Sequence, residues 1–313
     1  MSFMSIATAK TGESVETTNM NQFFDQPQKM HGQARATAPL SIGSGIEKAA
    51  DLLQIPVEKV RVRPESRLVY HTDPHSSGAD RFRYLRMVLQ ELWTAGKVRS
   101  LLITSALPGD GKSTIALNLA TALADGGKRS VLLIEADLHR PTLGLQLGLP
   151  AREGLSECLE AGLNPVSAIR RIEPLGWYFL PAGQPDMNPT ELLQAEAFGG
   201  IMKTVSPLFD WVLIDSPPVT PLTDALSLTR LCSATLLVAR EGVTPQRMIK
   251  RAIALLGRQR VLGVVLNGVE GLDRLYSGYY GNKDLRIEAQ LKNRAATRVI
   301  DATSFINGPQ SRW

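Results

Sequence analysis

The stretch LLITSALPGDGKSTIALNLATAL, residues 101–123, constrains the fold of this chain more than any other. An apolar run suited to a buried strand meets a turn with two glycines and a lysine. A segment with Ile115, Leu119 and Leu123 on one helical face follows. Residues 106–113, ALPGDGKS, keep the spacing of a phosphate-binding loop, with Ala106 where the first glycine usually stands. Gly109 and Gly111 let the backbone curl so that successive N–H groups point inward at an anion. The helix that follows aims its positive end at the same point.

Strand, loop and helix in this order make ATP and Mg²⁺ the expected cofactors. Lys112 is placed to reach the β and γ oxygens, Ser113 to ligate Mg²⁺, and Thr114 to contact the α-phosphate. Pro108, Gly109, Asp110 and Gly111 frame the phosphates, and Asn267, at the end of the last predicted strand, completes the candidate ATP-binding set.

Two further apolar runs end in acids, LLIEADLHRP and WVLIDSPP. In an open parallel sheet ligands gather at the strand C-termini, so Glu135, Asp137 and Asp215 converge on the loop. Octahedral Mg²⁺ takes phosphate and water oxygens plus one or two from protein, and Ser113, Asp137 and Asp215 are the candidate metal residues. An acid at a strand end also commonly caps the next helix, and for Glu135 both roles stand open. Arg140 is a candidate for binding phosphate or for pairing with an acid. His139 reads as a surface neighbour, because no second histidine lies near it. Lys112, Glu135, Asp137, Arg140 and Asp215 form the candidate catalytic set.

The runs SLLITS, SVLLIEA, WYFLPA, DWVLIDS, ATLLVAR and VLGVVLN alternate with helix-length segments. This pattern predicts an α/β P-loop NTPase, its mostly parallel sheet flanked by helices on both faces. ADRFRYLRMVLQELWTAG predicts a helix burying Phe82, Leu85, Val88, Leu89 and Leu92 and closing at Gly96. VTPQRMIKRAIALLG predicts another, with Thr244 as N-cap and Pro245 in the first position. Residues 1–44 are polar and read as a disordered arm, 45–75 as a short helix and linker, 76–270 as the catalytic domain, and 271–313 as a mobile basic tail.

A formal charge of +5 and a pI near 9.3 suit acidic partners or an anionic membrane surface. No basic run with interleaved aromatics is present, so nucleic acid is not expected as a partner. Cys158 and Cys232 lie far apart in apolar stretches and read as buried free thiols. No apolar run approaches the roughly 20 residues of a membrane span, so a membrane role requires another chain.

The phosphate loop, EADLHRP and VLIDSPP together resemble the motifs of the bacterial tyrosine kinases of exopolysaccharide and capsule synthesis, the BY-kinases. PAGQPDMNPTELL, TDAL, LLVAREGVT and VLGVVLNGV follow in the family's order, so the resemblance runs from about Asp80 to Tyr280. It implies an ATP-dependent protein-tyrosine autokinase of the stand-alone cytoplasmic type, with ATPase activity. By the same resemblance, Glu135, Asp137 and Asp215 handle Mg²⁺ and activate the incoming phenol, although the family more usually has Asp at the first of these positions. DRFRYLR is similar to the family's ring-assembly pattern E-x-x-R-x-x-R, which implies oligomerisation through Asp80, Arg83 and Arg86. The related partition ATPases carry an extra lysine early in the loop, where this chain has Leu107.

BY-kinases phosphorylate a C-terminal tyrosine cluster, and YSGYYG supplies Tyr276, Tyr279 and Tyr280. The implied partners are further copies of the chain in a ring, a membrane chain-length-determinant (polysaccharide co-polymerase) adaptor from another chain, and a cognate tyrosine phosphatase. The implied location is the cytoplasm, at the inner face of the membrane through that adaptor. The alternative is a nucleotide switch or scaffold of the export machinery in which the tyrosines are incidental.

Overall fold

The computed structural model describes residues 52–63, 66–184, 188–193, 195–220, 223–269 and 297–300. The strands among them are β1 (Val57–Lys59), β2 (Ser100–Ser105), β3 (Val131–Glu135), β4 (Arg170–Glu173), β5 (Trp177–Leu180), β6 (Trp211–Asp215), β7 (Ala234–Arg240), β8 (Val261–Asn267) and β9 (Thr297–Ile300). They form one sheet in the order β1-β4-β5-β3-β6-β2-β7-β8-β9. All neighbours are parallel except β4 with β5 and β8 with β9.

The helices that cover the sheet are α1 (Ser77–Thr94), α2 (Lys112–Ala124), α3 (Leu143–Leu147), α4 (Leu155–Glu160), α5 (Ala195–Val205), α6 (Asp224–Thr229) and α7 (Gln246–Leu256). Alternation along each strand divides the core. Leu101, Ile103, Val131, Leu133 and Leu213 point to the face covered by Phe82, Leu85 and Leu89 of α1 and by Ile115, Leu119 and Leu123 of α2. Leu102, Leu132, Ile134, Val212 and Ile214 point the other way, onto Phe198, Ile201 and Val205 of α5. Further along that second face, Leu237 and Val264 meet Ile249, Ile253 and Leu256 of α7. Strands buried on both faces need near-continuous apolar sequence, which is why β2, β3 and β6 are visible as such in the chain.

Ser76 caps α1 by accepting from the Ala79 N–H at 3.2 Å, and the chain leaves the helix through Gly96 at φ 69°. At α7 the predicted cap is displaced by one residue. Pro245, not Thr244, is the N-cap, and Thr244 Oγ1 instead donates to Asp110 of the loop at 2.6 Å.

Two edge strands depart from the sequence reading. In 45–75, read as a short helix and linker, β1 pairs in parallel with β4, while residues 45–51 of the predicted helix lie outside the described residues. In 271–313, read as a mobile tail, β9 pairs antiparallel with β8, with Thr297 opposite Asn267. The chain thus leaves the sheet at the end of β8 and rejoins it at that same end.

Candidate active site

The ends of β2, β3 and β6 build the site. Their register sets Ile103 and Glu135 on either side of Asp215, at the C-terminal edge of the sheet. The loop from β2 to α2 turns through Gly109 at φ 84° and Gly111 at φ 96°, the left-handed region that side chains disfavour. Asp110 is buried and holds this turn from within, accepting from the Leu107 N–H at 2.9 Å and from Thr244 Oγ1 at 2.6 Å. Its burial raises its pKa, against those hydrogen bonds and the charge of Arg240. Asn267 donates from Nδ2 to the Asp110 carbonyl at 2.9 Å, so its amide serves the backbone of the loop. Pro108 and Gly109 are exposed on the loop's outer side, and Thr114 is half-buried one residue beyond Ser113.

Lys112 opens α2 and turns back onto the acids. Its Nζ lies 2.7 Å from Asp137 Oδ2 and 3.8 Å from Asp215 Oδ1, and it donates to Ser113 Oγ at 3.2 Å. Burial opposes the lysine charge, yet Asp215 and Asp137 outweigh it and raise the ammonium pKa. Asp137 is buried and also accepts from the Arg140 N–H at 3.1 Å. Arg140 contributes that backbone group, and its side chain is exposed.

Asp215 is 1 % exposed, and neither carboxylate oxygen accepts a hydrogen bond. Burial raises its pKa to about 6 even though the charge of Lys112 pulls it down. Such an orphaned buried carboxylate beside a serine hydroxyl is a hard-oxygen environment that suits Mg²⁺. Among the described residues no group of three or more His, Cys, Asp or Glu forms a metal cage. A cation here would draw its other ligands from phosphate and water, the ordinary habit of Mg²⁺.

Glu135 is occupied differently. Its Oε1 accepts from the Thr142 and Leu143 N–H groups, both at 2.6 Å, and Oε2 from Ala182 at 3.4 Å. The carboxylate therefore pins the start of α3, the capping role left open by the sequence. Burial raises its pKa against these backbone donors. The turn so pinned carries a residue that sequence reasoning missed: Thr142 Oγ1 lies 3.4 Å from Ser113 Oγ. Nothing in HRPT marks this threonine, because the approach depends on a strand-end acid holding its amide. His139 is not a loose surface neighbour. It is half-buried, with Nε2 2.8 Å from Asp224 Oδ2 and 3.3 Å from Thr190 Oγ1, joining the β3 exit to α6.

The predicted oligomerisation residues are tied within the chain. Asp80 pairs with Arg83 at 2.6 Å, while Arg83 also donates to the Pro74 carbonyl and lies over the Tyr70 ring. Arg86 pairs with Asp125 at 2.7 Å and donates to Tyr70 Oη and the Ala122 carbonyl, near the end of α2. Cys158 and Cys232 are buried, with thiols pushed up to about 11 and about 12 by that burial. Tyr276, Tyr279 and Tyr280 lie outside the described residues.

The strand, the curled loop and a lysine set against two buried strand-end acids define a P-loop NTPase. The family model described as "ParA: NUBPL iron-transfer P-loop NTPase" matches residues 97–271. Tyrosine-protein kinase YwqD of Bacillus subtilis is 31% identical over 224 residues, covering 71% of this chain and 94% of that protein. The crystal structure of the chimerical protein CapA2B2 is similar with a TM-score of 0.59 and 31% identity, covering 70% of this chain and 97% of the other. The kinase domain of Escherichia coli tyrosine kinase ETK is similar at 0.61 and 28%, over 64% of this chain and 80% of that one. Within the P-loop NTPases, the chain belongs to the bacterial tyrosine kinase family, the BY-kinases.

Proposed function

We propose that this chain is an ATP-dependent protein-tyrosine autokinase that phosphorylates Tyr276, Tyr279 and Tyr280 in trans and thereby regulates exopolysaccharide or capsule polymerisation and export. The observation that carries the reading is the buried Lys112–Asp137–Asp215 cluster behind the loop, in a chain that aligns with nearly the whole of a tyrosine kinase. Copies of the chain act on one another in a ring, and the likeness to a chimerical protein suits an adaptor segment supplied by a second chain.

With ATP in the loop, Lys112 exchanges the two carboxylates for the β and γ oxygens and stabilises charge there. Ser113 and Asp215 would hold Mg²⁺, which when bound would supply positive charge against the phosphates. Asp137, freed from the lysine, orients the tyrosine hydroxyl and accepts its proton, needed because a free phenol has a pKa of about 10. The bond from phenol oxygen to γ-phosphorus forms as the bond to the bridging oxygen breaks, and ADP departs with that electron pair. Glu135 serves by fixing Thr142 beside Ser113.

The test is intact mass and phosphopeptide mapping after incubation with Mg²⁺-ATP, with and without adaptor fragments. Wild type is compared with Lys112→Met and with a triple Tyr276, Tyr279, Tyr280→Phe variant. Phosphate on those tyrosines that disappears with Lys112→Met is expected. ATP turnover without phosphotyrosine, adaptor present, would replace this reading with that of a nucleotide-driven scaffold.

A further inference from the structure

The opposite edge of the sheet, where the parallel strands begin, carries a row of bases. Strand order lays out Arg129 ahead of β3, then Lys97 and Arg99 ahead of β2, Arg230 ahead of β7 and Arg260 ahead of β8. The five strands from β3 to β8 at roughly 4.8 Å spacing make this row about 19 Å long.

The loops that bear these bases are fastened to one another. The Asp210 N–H donates to Ser130 at the start of β3, and the Val212 N–H donates to the Arg99 carbonyl at 3.0 Å. The Arg99 N–H donates to Ser233 Oγ at 3.3 Å, and Arg260 to the Thr229 carbonyl at 3.3 Å. Two of the guanidiniums lie over the Trp93 ring, Arg129 at 4.7 Å and Arg99 at 5.7 Å from its centroid, while Trp93 Nε1 donates to the Asp210 carbonyl at 2.9 Å. These bases therefore sit at fixed positions on one edge rather than on wandering loops.

Acids offset the row only at its margins. Glu173 pairs with Arg171 on the neighbouring β4 at 2.9 Å, and Asp210, held by the Ser130 N–H and Oγ at 2.9 and 3.0 Å, keeps its charge beside the row. Lys97, Arg99, Arg129 and Arg230 are exposed, and none has a carboxylate within ion-pair distance among the described residues.

We infer that this edge is a docking face for an anionic lipid bilayer. A single phosphate ligand would need a concave cradle with converging donors, whereas these side chains stand in an extended row along exposed loops. Such a row matches charge distributed over a surface, and each base adds attraction within a Debye length of about 10 Å. No helix among the described residues is long and apolar enough to cross a membrane, so binding of this kind would be peripheral and salt-dependent; unlike the anchoring expected from the sequence, it would need no second chain. The face lies opposite the Lys112 site, so the nucleotide end would be directed away from the bilayer.

The experiment is co-sedimentation of the full chain with vesicles of phosphatidylcholine alone or with about one-third phosphatidylglycerol. Two variants are compared with wild type: Arg99→Glu with Arg129→Glu, and Lys97→Glu with Arg230→Glu. The second pair leaves the Trp93 stack intact should the first fail to fold, and ATP turnover reports the fold of both. Wild type is expected to bind only the anionic vesicles and to be released by roughly 0.5 M salt. Each double variant is expected to bind at least about tenfold more weakly with unchanged turnover. Absence of wild-type binding, equal binding to both vesicles, or wild-type binding by the folded variants would overturn the assignment.

Discussion

The two edges of one sheet treat charge in opposite ways. Where β2, β3 and β6 end, Glu135, Asp137 and Asp215 are buried, and one ammonium is shared between two of them. Where the same strands begin, Lys97, Arg99 and Arg129 are exposed without carboxylate partners among the described residues. A buried carboxylate is costly, so its position is tolerated only where something arrives to repay the desolvation. An exposed base costs the fold almost nothing and acts only over distance. Stability and function should therefore separate at the first edge and be independent at the second.

The largest effect that tests this contrast is kinetic. Lys112→Met is expected to lower phosphoryl transfer by about two to three orders of magnitude, the scale of losing one preorganised donor, as measured by ATP turnover. Residual turnover near wild type would mean that the cluster is structural.

Asp215→Asn comes next and has a sign that an ordinary core substitution lacks. Its folded pKa of about 6 lies above the unfolded value, so the folded chain holds the extra proton between about pH 4 and pH 6. Stability from this group is present below that range and is lost as pH rises through about 6. Without nucleotide, Asp215→Asn should melt a few degrees higher than wild type at about pH 8, at roughly 2–4 °C per kcal/mol, with the gap narrowing below about pH 6 and closing near about pH 4. Mg²⁺-dependent nucleotide affinity should fall in the same variant. A lower melting temperature at the alkaline pH would contradict the idea of a stored desolvation cost.

Glu135→Gln has the reverse sign. It keeps one oxygen for the Thr142 and Leu143 N–H groups but weakens it by removing the charge and sets an amide N–H₂ against the Ala182 N–H, and is expected to cost about 1–3 kcal/mol in denaturant melts. At the opposite edge, Arg129→Ala removes one stacked cation from Trp93 and should cost only about 0.5–1 kcal/mol, with ATP turnover unchanged. If Arg129→Ala costs as much as Glu135→Gln, the two edges are not the distinct environments described.

Much of this architecture can be read directly from the chain, for a physical reason. Strands buried on both faces, such as LLITS and VLIDS, announce themselves by unbroken apolar sequence, and the glycine loop by the conformations it requires. The strand-end acids follow, because strand C-termini in a parallel sheet converge. What stayed hidden depends on partners distant in sequence. VEK of β1 has no apolar pattern and is a strand only because β4 offers hydrogen bonds. β9 joins the sheet through its antiparallel partner β8. Thr142 reaches Ser113 through the grip of Glu135, and Thr244 serves the loop instead of its own helix, both decided by tertiary contacts.

The packing of Asn267 on the phosphate loop limits which changes inheritance can explore. A methyl group built on Gly111 would sit 2.1 Å from Asn267 Nδ2, so the glycine is demanded by the end of β8 as well as by its own backbone angles. Retracting the side chain at 267 would remove that clash but not the strain of φ 96° at position 111, so drift at 267 alone cannot release the glycine. A loop defect introduced at Gly111 would likewise reach beyond phosphate binding, into the sheet that supports it.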